Sequence, residues 1–318
     1  MKKILLVALA IAVAFTFSSC KKDGVYNPKQ KIAKVSTEWT SVQSYEDAAG
    51  SHTETTEVKP FVSQAWNWAD KTLESIVNYE RVVNPLTNSV SFVDTKTTYT
   101  YDDKDRISGM KYGDHSVEFV YNDDKKMSKI TTKDGAELES TIEFAYDGKL
   151  VSSIDVIYYK DYKKCAANLA KVLPSPIMRS IELAMPTETA KDVHIEKTNV
   201  VLEWDGKNIA QTVTTTDHKT VTTTYEYDGK LNPFKGMYAN VDEGFDFFSK
   251  NNVLKATNSS VVKDGNETIE RKTVDEYSYE YDGKYPTAVT YRYEYEHNFA
   301  GTTYITVTTT KTTYDYVD

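Results

Sequence analysis

Six tyrosines alternate along two neighbouring stretches near the C-terminus: Tyr277, Tyr279, Tyr281 and Tyr291, Tyr293, Tyr295. Side chains two residues apart share one face of an extended chain. A row of such rings offers apolar faces edged with hydroxyls, on which sugar rings can stack and hydrogen-bond. The same alternation equally suits cross-strand packing within a sheet. Acidic and amide side chains bunch at Asp102, Asp103, Asp105 and at Asn122, Asp123, Asp124. Oxygens so grouped suit a hard cation such as Ca²⁺, but the spacing and closing glutamate of an EF-hand are missing, and ordinary acidic turns are expected. The five histidines, His52, His115, His194, His218 and His297, are scattered, with His115 and His218 at expected hairpin tips. No zinc-protease helix, serine elbow or phosphate loop occurs, and no carboxylate pair stands out as the acid and base of a glycosidase. The residues therefore predict no catalytic group, no metal site and no cofactor. The six tyrosines are the candidate binding residues.

What positions them begins with the ends of the chain. Two lysines followed by an apolar run from Ile4 to Phe17 form a secretion signal over residues 1–19, too short for an ordinary membrane span. Phe17-Ser18-Ser19-Cys20 resembles the lipobox of bacterial lipoproteins, in which the chain is cut before a cysteine that then receives acyl chains. That resemblance implies a lipidated Cys20, a tether over 20–30, and a mature chain held on a membrane by lipid alone. Lys21-Lys22-Asp23 resembles the signal for display on the outer face of the outer membrane, leaving both the periplasmic side and the cell surface open. Cys165 is the one other cysteine, so the mature chain has no disulfide framework and no cysteine metal site. The net charge of −9 argues against a nucleic-acid partner.

A short phrase recurs along the rest. It reads Tyr101-Asp102-Asp103-Lys104, Tyr121-Asn122-Asp123-Asp124, Tyr146-Asp147-Gly148-Lys149, Trp204-Asp205-Gly206-Lys207, Tyr227-Asp228-Gly229-Lys230 and Tyr281-Asp282-Gly283-Lys284, with a worn copy at Trp68-Ala69-Asp70-Lys71. Strict alternation precedes each copy, as in Ile142, Phe144, Tyr146 against Thr141, Glu143, Ala145. Asp-Gly then makes a hairpin turn in which glycine accepts a positive φ. Two strands and two turns fit the period of about 20–25 residues. The expected fold is all-β: one domain over 31–318, a large antiparallel meander of about 16 strands curled into a barrel or half-barrel. Two intervals break the period. One is a helical excursion at about 161–190, read as short helices separated by Pro174 and Pro176. The other is an aromatic loop at about 231–252, carrying Phe234, Phe245, Phe247 and Phe248. Both are apolar enough to pack inside the sheet or across a mouth.

The copies resemble YD repeats. Together with the lipobox, Leu231-Asn232-Pro233-Phe234 and Phe248-Ser249-Lys250-Asn251-Asn252, they are similar to a family of Bacteroidetes lipoproteins of unknown function with a porin-like β-fold. The resemblance implies a fold and an envelope location and no activity. The expected role is non-catalytic, binding or structural, with a glycan, a peptide or another envelope protein as ligand. The alternatives are a carbohydrate hydrolase built on paired carboxylates, or an outer-membrane pore, which would need a lipid-facing apolar band.

Overall fold

The fold is described from a computed structural model for residues 28–47, 50–124, 126–160, 162–185, 196–217, 219–237, 248–264, 267–299 and 302–317. The signal segment, Cys20, residues 186–195 of the helical excursion and residues 238–247 of the aromatic loop, with Phe245 and Phe247, lie outside the described residues. The strands are β1 (Ile32–Asp47), β2 (Gly50–Ala69), β3 (Thr72–Val83), β4 (Val90–Tyr101), β5 (Ile107–Tyr112), β6 (His115–Tyr121), β7 (Met127–Asp134) and β8 (Glu137–Asp147). They continue as β9 (Leu150–Tyr158), β10 (Glu196–Asp205), β11 (Asn208–Thr215), β12 (Thr220–Tyr227), β13 (Val253–Asp264), β14 (Glu267–Asp282), β15 (Tyr285–Phe299) and β16 (Thr302–Tyr316). Each pairs antiparallel with its neighbours in chain order, and β1 pairs with β16 from Ile32↔Tyr316 to Tyr45↔Tyr304. The barrel is therefore closed, with sixteen strands; of the two expected forms, the half-barrel is excluded. Closure removes the sheet edges that an open meander of this length would expose.

All seven copies of the repeated phrase stand at one rim, one at the end of each even-numbered strand from β2 to β14, and the junction of β16 with β1 completes the circle. The register shifts just before the aromatic of every copy: before Trp68, Tyr101, Tyr121, Tyr146, Trp204, Tyr227 and Tyr281. A bulge there re-aims the ring over the rim. The ring's polar hydrogen then reaches back to a main-chain carbonyl at the start of the preceding strand. Trp68 Nε1 donates to Ile32 O (2.7 Å), Tyr101 OH to Leu73 O (2.6 Å) and Tyr121 OH to Ile107 O (2.9 Å). Tyr146 OH donates to Met127 O (2.7 Å), Trp204 Nε1 to Val151 O (2.7 Å) and, at the last strand, Tyr316 OH to Pro286 O (2.6 Å). A cation often joins the same latch. Arg106 lies over Tyr121 at 4.0 Å, Lys126 over Tyr146 at 5.0 Å and Lys31 over Trp68 at 5.2 Å, and Lys126 Nζ and Lys31 Nζ also donate to the Gly148 and Asp70 carbonyls.

In the Asp-Gly turns at Gly148 and Gly283 the glycine takes the left-handed conformation, with φ of 56° and 63°, while the aspartate before it stays out of that region; in the first copy, which lacks a glycine, Asp105 takes it with φ 62°. In the worn copy Asp70 holds φ 53° with a Cβ, a conformation costly for an L-residue. Asp70→Gly should therefore raise stability by about 0.5–1 kcal/mol, read as a higher urea midpoint at unchanged slope.

The wall faces two ways. Inward, Ile130, Ile142, Ile154 and Val200 form a continuous belt from β7 to β10, each at most 1% exposed. Outward the wall carries ion pairs, Lys129–Glu143, Lys197–Asp155 and Lys255–Glu226 between neighbouring strands and Lys311–Glu280 across β15. Such pairs contribute little to stability each, but they state what the wall touches. A barrel wall in lipid presents an apolar band about 25 Å tall, and this one mixes these ion pairs with exposed apolar side chains such as Val120, Val201 and Leu254.

The lumen is filled from both ends. At the rim opposite the repeats, α1 (Tyr162–Leu169) and α2 (Ser175–Ala184) fold inward, burying Cys165, Leu169, Val172, Leu173, Ile177, Met178 and Ile181. Pro174 caps α2 and Pro176 sits in its first turn, so the helices part at 170–174 and not across both prolines. Proline is tolerated at that place because the first amides of a helix have no intrahelical partner. At the repeat rim the segment 231–237 crosses the mouth. Phe234, leaving β12, packs against Trp66 of β2 (6.2 Å) and Tyr314 of β16 (6.1 Å), while Phe248, returning to β13, meets Phe144 of β8 (6.2 Å). Asparagines staple its ends: Asn232 Nδ2 donates to Ser249 O, Asn251 Nδ2 to Lys230 O, and Asp228 Oδ1 accepts from the Asn252 amide.

Candidate functional site

Above the filled ring the wall is uneven, because β5 to β12 are short and the strands from β13 round to β4 are long. Among the described residues β14 and β15 pair only from Asp282↔Tyr285 up to Glu276↔Arg292, and β2 and β3 only from Ala69↔Thr72 up to Gln64↔Asn78. The remainder of β15, β16, β1 and β2 therefore stands as a four-stranded blade beyond the rim that α1 and α2 fill, held by the β15–β16, β16–β1 and β1–β2 ladders.

The blade's inner face follows from the parity of its buried residues. Val35, Thr37, Thr312 and Tyr314 are inside the ring, so Trp39, Ser41, Gln43 and Tyr45 of β1 and Thr310, Thr308, Thr306 and Tyr304 of β16 continue the same face upward. The register lays these in rows. Tyr291 is opposite Thr310 and Trp39, Tyr293 is opposite Thr308 and Ser41, and Tyr45 is opposite both Tyr304 and His52. Rings stack along the face: Tyr291 on Tyr293 at 5.9 Å and 13°, Tyr45 on His52 at 4.8 Å and 14°. Hydroxyls and amides lie between them, with Ser41 Oγ 3.4 Å from Thr308 Oγ1 and Gln43 Nε2 donating to Thr306 Oγ1 at 3.4 Å.

The structure divides the six predicted tyrosines. Tyr279 and Tyr281 belong to the repeat rim: Tyr279 OH donates to Val253 O at 2.9 Å, and Tyr281 OH donates to Asp228 Oδ2, with Asn252 Nδ2 3.2 Å from the same hydroxyl. Tyr277 is packed under Tyr291, ring centroids 4.9 Å apart. Tyr291 and Tyr293 climb from the ring to the blade, and Tyr295 lies opposite Thr306 in the register. So the two rows form one staircase that rises from the repeat rim to the blade.

At the step between them lies a polar network. Asp275, 3% exposed, accepts hydrogen bonds from Tyr291 OH (2.9 Å) and Asn258 Nδ2 (3.0 Å), and Asn258 Oδ1 accepts from Thr223 Oγ1 (2.8 Å). Burial, the Asp275 charge and the hydrogen bond to it raise the Tyr291 hydroxyl pKa above its ordinary value, Arg179 opposing. Burial does the same for Tyr277. Where β2 and β3 part, Asn78 is 8% exposed with neither side-chain atom bonded to a described residue. Sequence reading missed Asp275, Asn258, Asn78, Trp39 and Gln43. For Asp275 the signal was present, since it stands two residues before Tyr277 on the same face. Asn258 meets Asp275 through the β13–β14 ladder and Asn78 lies opposite Gln64 of β2, while closure of β1 against β16 brings Trp39 and Gln43 to the tyrosines.

Comparison with known proteins gives the chain no family: no described protein family matches it, and no curated protein does. Among solved structures, a porin-like protein from Bacteroides uniformis is similar over 90% of this chain and 98% of that chain, with 11% identity and a TM-score of 0.47.

Proposed function

We propose that this chain is a non-catalytic, lipid-anchored protein of the bacterial outer membrane that binds a glycan on the inner face of the blade. The observation that carries the reading is the composition of that face: stacked rings of Tyr291, Tyr293, Tyr45 and His52 interleaved with Ser41, Gln43 and Thr308. Sugars present an apolar ring face and a hydroxyl edge together, and this surface offers partners for both. A conducting pore needs an open lumen and an apolar outer band. The described lumen is filled by α1, α2 and the Phe234 segment, and the outer wall carries ion pairs.

The lipobox supports the anchor at Cys20, and the position of β1 supports an orientation for it. Residues 21–31 separate Cys20 from β1, which starts at the repeat rim, where Ile32 pairs with Tyr316. A chain tethered there rests its plugged rim toward the membrane and lifts the blade away from it.

Screening the Cys20→Ala chain against a glycan array, followed by calorimetric titration of the retained glycans, tests the proposal. Trp39→Ala with Tyr293→Ala should weaken binding at least about tenfold, as loss of central aromatic contacts does, and leave thermal unfolding nearly unchanged. Retention of peptides and no glycan, or a retained glycan indifferent to the double substitution, overturns the ligand assignment. Persistence of the Cys20→Ala chain in the membrane fraction overturns the anchor.

A further inference from the structure

We propose that the rim carrying the helical excursion holds a binding site for one divalent transition-metal ion of the zinc class, with His115, Asp134 and Glu139 as ligands and Asn168 as their orienting partner. The three ligands come from three adjacent strands. His115 opens β6 and pairs directly with Asp134 at the end of β7, and Glu139 stands on β8 two residues after the partner of Asp134, Glu137. His115 Nδ1 lies 3.6 Å from Glu139 Oε2 and 3.9 Å from Asp134 Oδ1, and all three ligating atoms fall within 4.8 Å of one another. Ligands about 2.1 Å from a tetrahedral zinc stand roughly 3.4 Å apart, so the triangle is already close to the size a bound ion would impose. One imidazole with two carboxylates is a donor set that suits zinc, and its mixed hardness is less suited to Ca²⁺, which takes 6–8 oxygens.

Burial adds an independent reason. Glu139 is 3% exposed, and among the described residues its carboxylate receives one hydrogen bond, from Asn168 Nδ2 at 2.6 Å. An ionised carboxylate can accept about four, and a buried one is costly unless paired. The same Asn168 nitrogen is 3.2 Å from His115 Nδ1. Tyr112 OH donates to Asn168 Oδ1 at 2.6 Å, which orients the amide so that its nitrogen donates and Nδ1 accepts. Nδ1 is thus the unprotonated nitrogen beside the carboxylates, and a bound ion would take its lone pair over from Asn168, whose amide stays on Glu139. Tyr112 also stacks on His115, centroids 5.3 Å apart and 23° between planes, fixing the ring. Lys160 engages the other oxygen of Asp134, Oδ2, at 3.6 Å and Glu137 at 2.8 Å, leaving Asp134 Oδ1 turned to the histidine. Asp134 is nearly half exposed and supplies the entry path. Sequence reading places His115 at a solvated hairpin tip. The helical excursion changes that by laying Asn168 across it.

The full-length chain, extracted in detergent and stripped with a chelator, should take up one zinc ion in calorimetric titration, and Co²⁺ should give the strong visible band of a four-coordinate nitrogen–oxygen site. Zinc should also raise the thermal midpoint, because binding to the folded chain stabilises it. Glu139→Gln and His115→Gln should each lower zinc affinity at least about tenfold, and Asn168→Ala about 10–100-fold, the usual loss for a second-layer partner. Should Glu139→Gln not fold, Asp134→Asn, on the exposed side, reads the same site. Zinc uptake that is absent, unaffected by these substitutions, or weaker than Ca²⁺ uptake overturns the proposal.

Discussion

Phe234→Ala lowers the stability of the barrel by about 3–5 kcal/mol, the usual cost of emptying a buried phenylalanine site. Phe234 is 4% exposed and is the contact through which a segment leaving β12 reaches Trp66 and Tyr314 on the far side of the mouth. The cavity would open between three walls that the ring holds at fixed distance, so collapse can relieve little of it. Phe92→Ala is the control, because Phe92 is 51% exposed on the β3–β4 hairpin, and it should change stability by less than about 0.5 kcal/mol. Urea unfolding of the two variants measures both. A loss below about 1 kcal/mol at Phe234 would mean that the mouth closes without this segment.

The second large effect is at high pH. Tyr101, Tyr277, Tyr281, Tyr291 and Tyr316 all have hydroxyl pKa values raised in the fold, in each case first by burial; Tyr101 is pushed up to about 12. At Tyr281 and Tyr291 the neighbouring Asp228 and Asp275 carboxylates add to the shift. An acid whose folded pKa exceeds its unfolded one leaves stability intact below the unfolded value of about 10 and withdraws it as pH rises beyond that value. Five such groups act together. Tyrosinate absorbance should therefore rise in two parts: a gradual part from exposed rings near pH ~10, then a cooperative step that coincides with loss of the β-sheet circular dichroism. A smooth titration of all the tyrosines with the sheet intact would show these rings to be open to water. Asp275→Asn should let Tyr291 ionise earlier, since the charge that opposes its tyrosinate is gone.

The architecture was legible where local chemistry dictates it. Alternation before Tyr146 and Tyr281, and glycine at Gly148 and Gly283, specify strands and turns through contacts a few residues apart, and the observed ladder follows them. The helices around Pro174 were readable for the same reason, apart from the prolines' exact roles. The blade was not readable. Its inner face depends on which residues of β1 meet β16, a closure between the two ends of the barrel sequence at Trp39↔Thr310 and neighbouring rows. The His115 cluster was hidden similarly. Nothing near His115 announces Asn168, 53 positions on, and the buried state of Glu139 exists only once α1 folds over β8.

The latch at the repeat rim has a consequence for how such a molecule could arise. In six of the eight strand pairs the aromatic that ends the even strand binds the start of the odd strand before it, as Tyr121 binds Ile107 and Tyr146 binds Met127, while Tyr227 turns to Ser249 and Tyr281 to Asp228. The cation leaning on it, Arg106 or Lys126, also enters from that hairpin. Such a pair carries a fastening of its own beside the ladder of main-chain bonds to its neighbours, reinforced at places by a side chain such as Arg106, which pairs with Asp102 at the end of β4. Tandem duplication of one such gene segment would insert a ready-latched pair, so the circumference can grow or shrink by twos while the ancestral rim stays sealed.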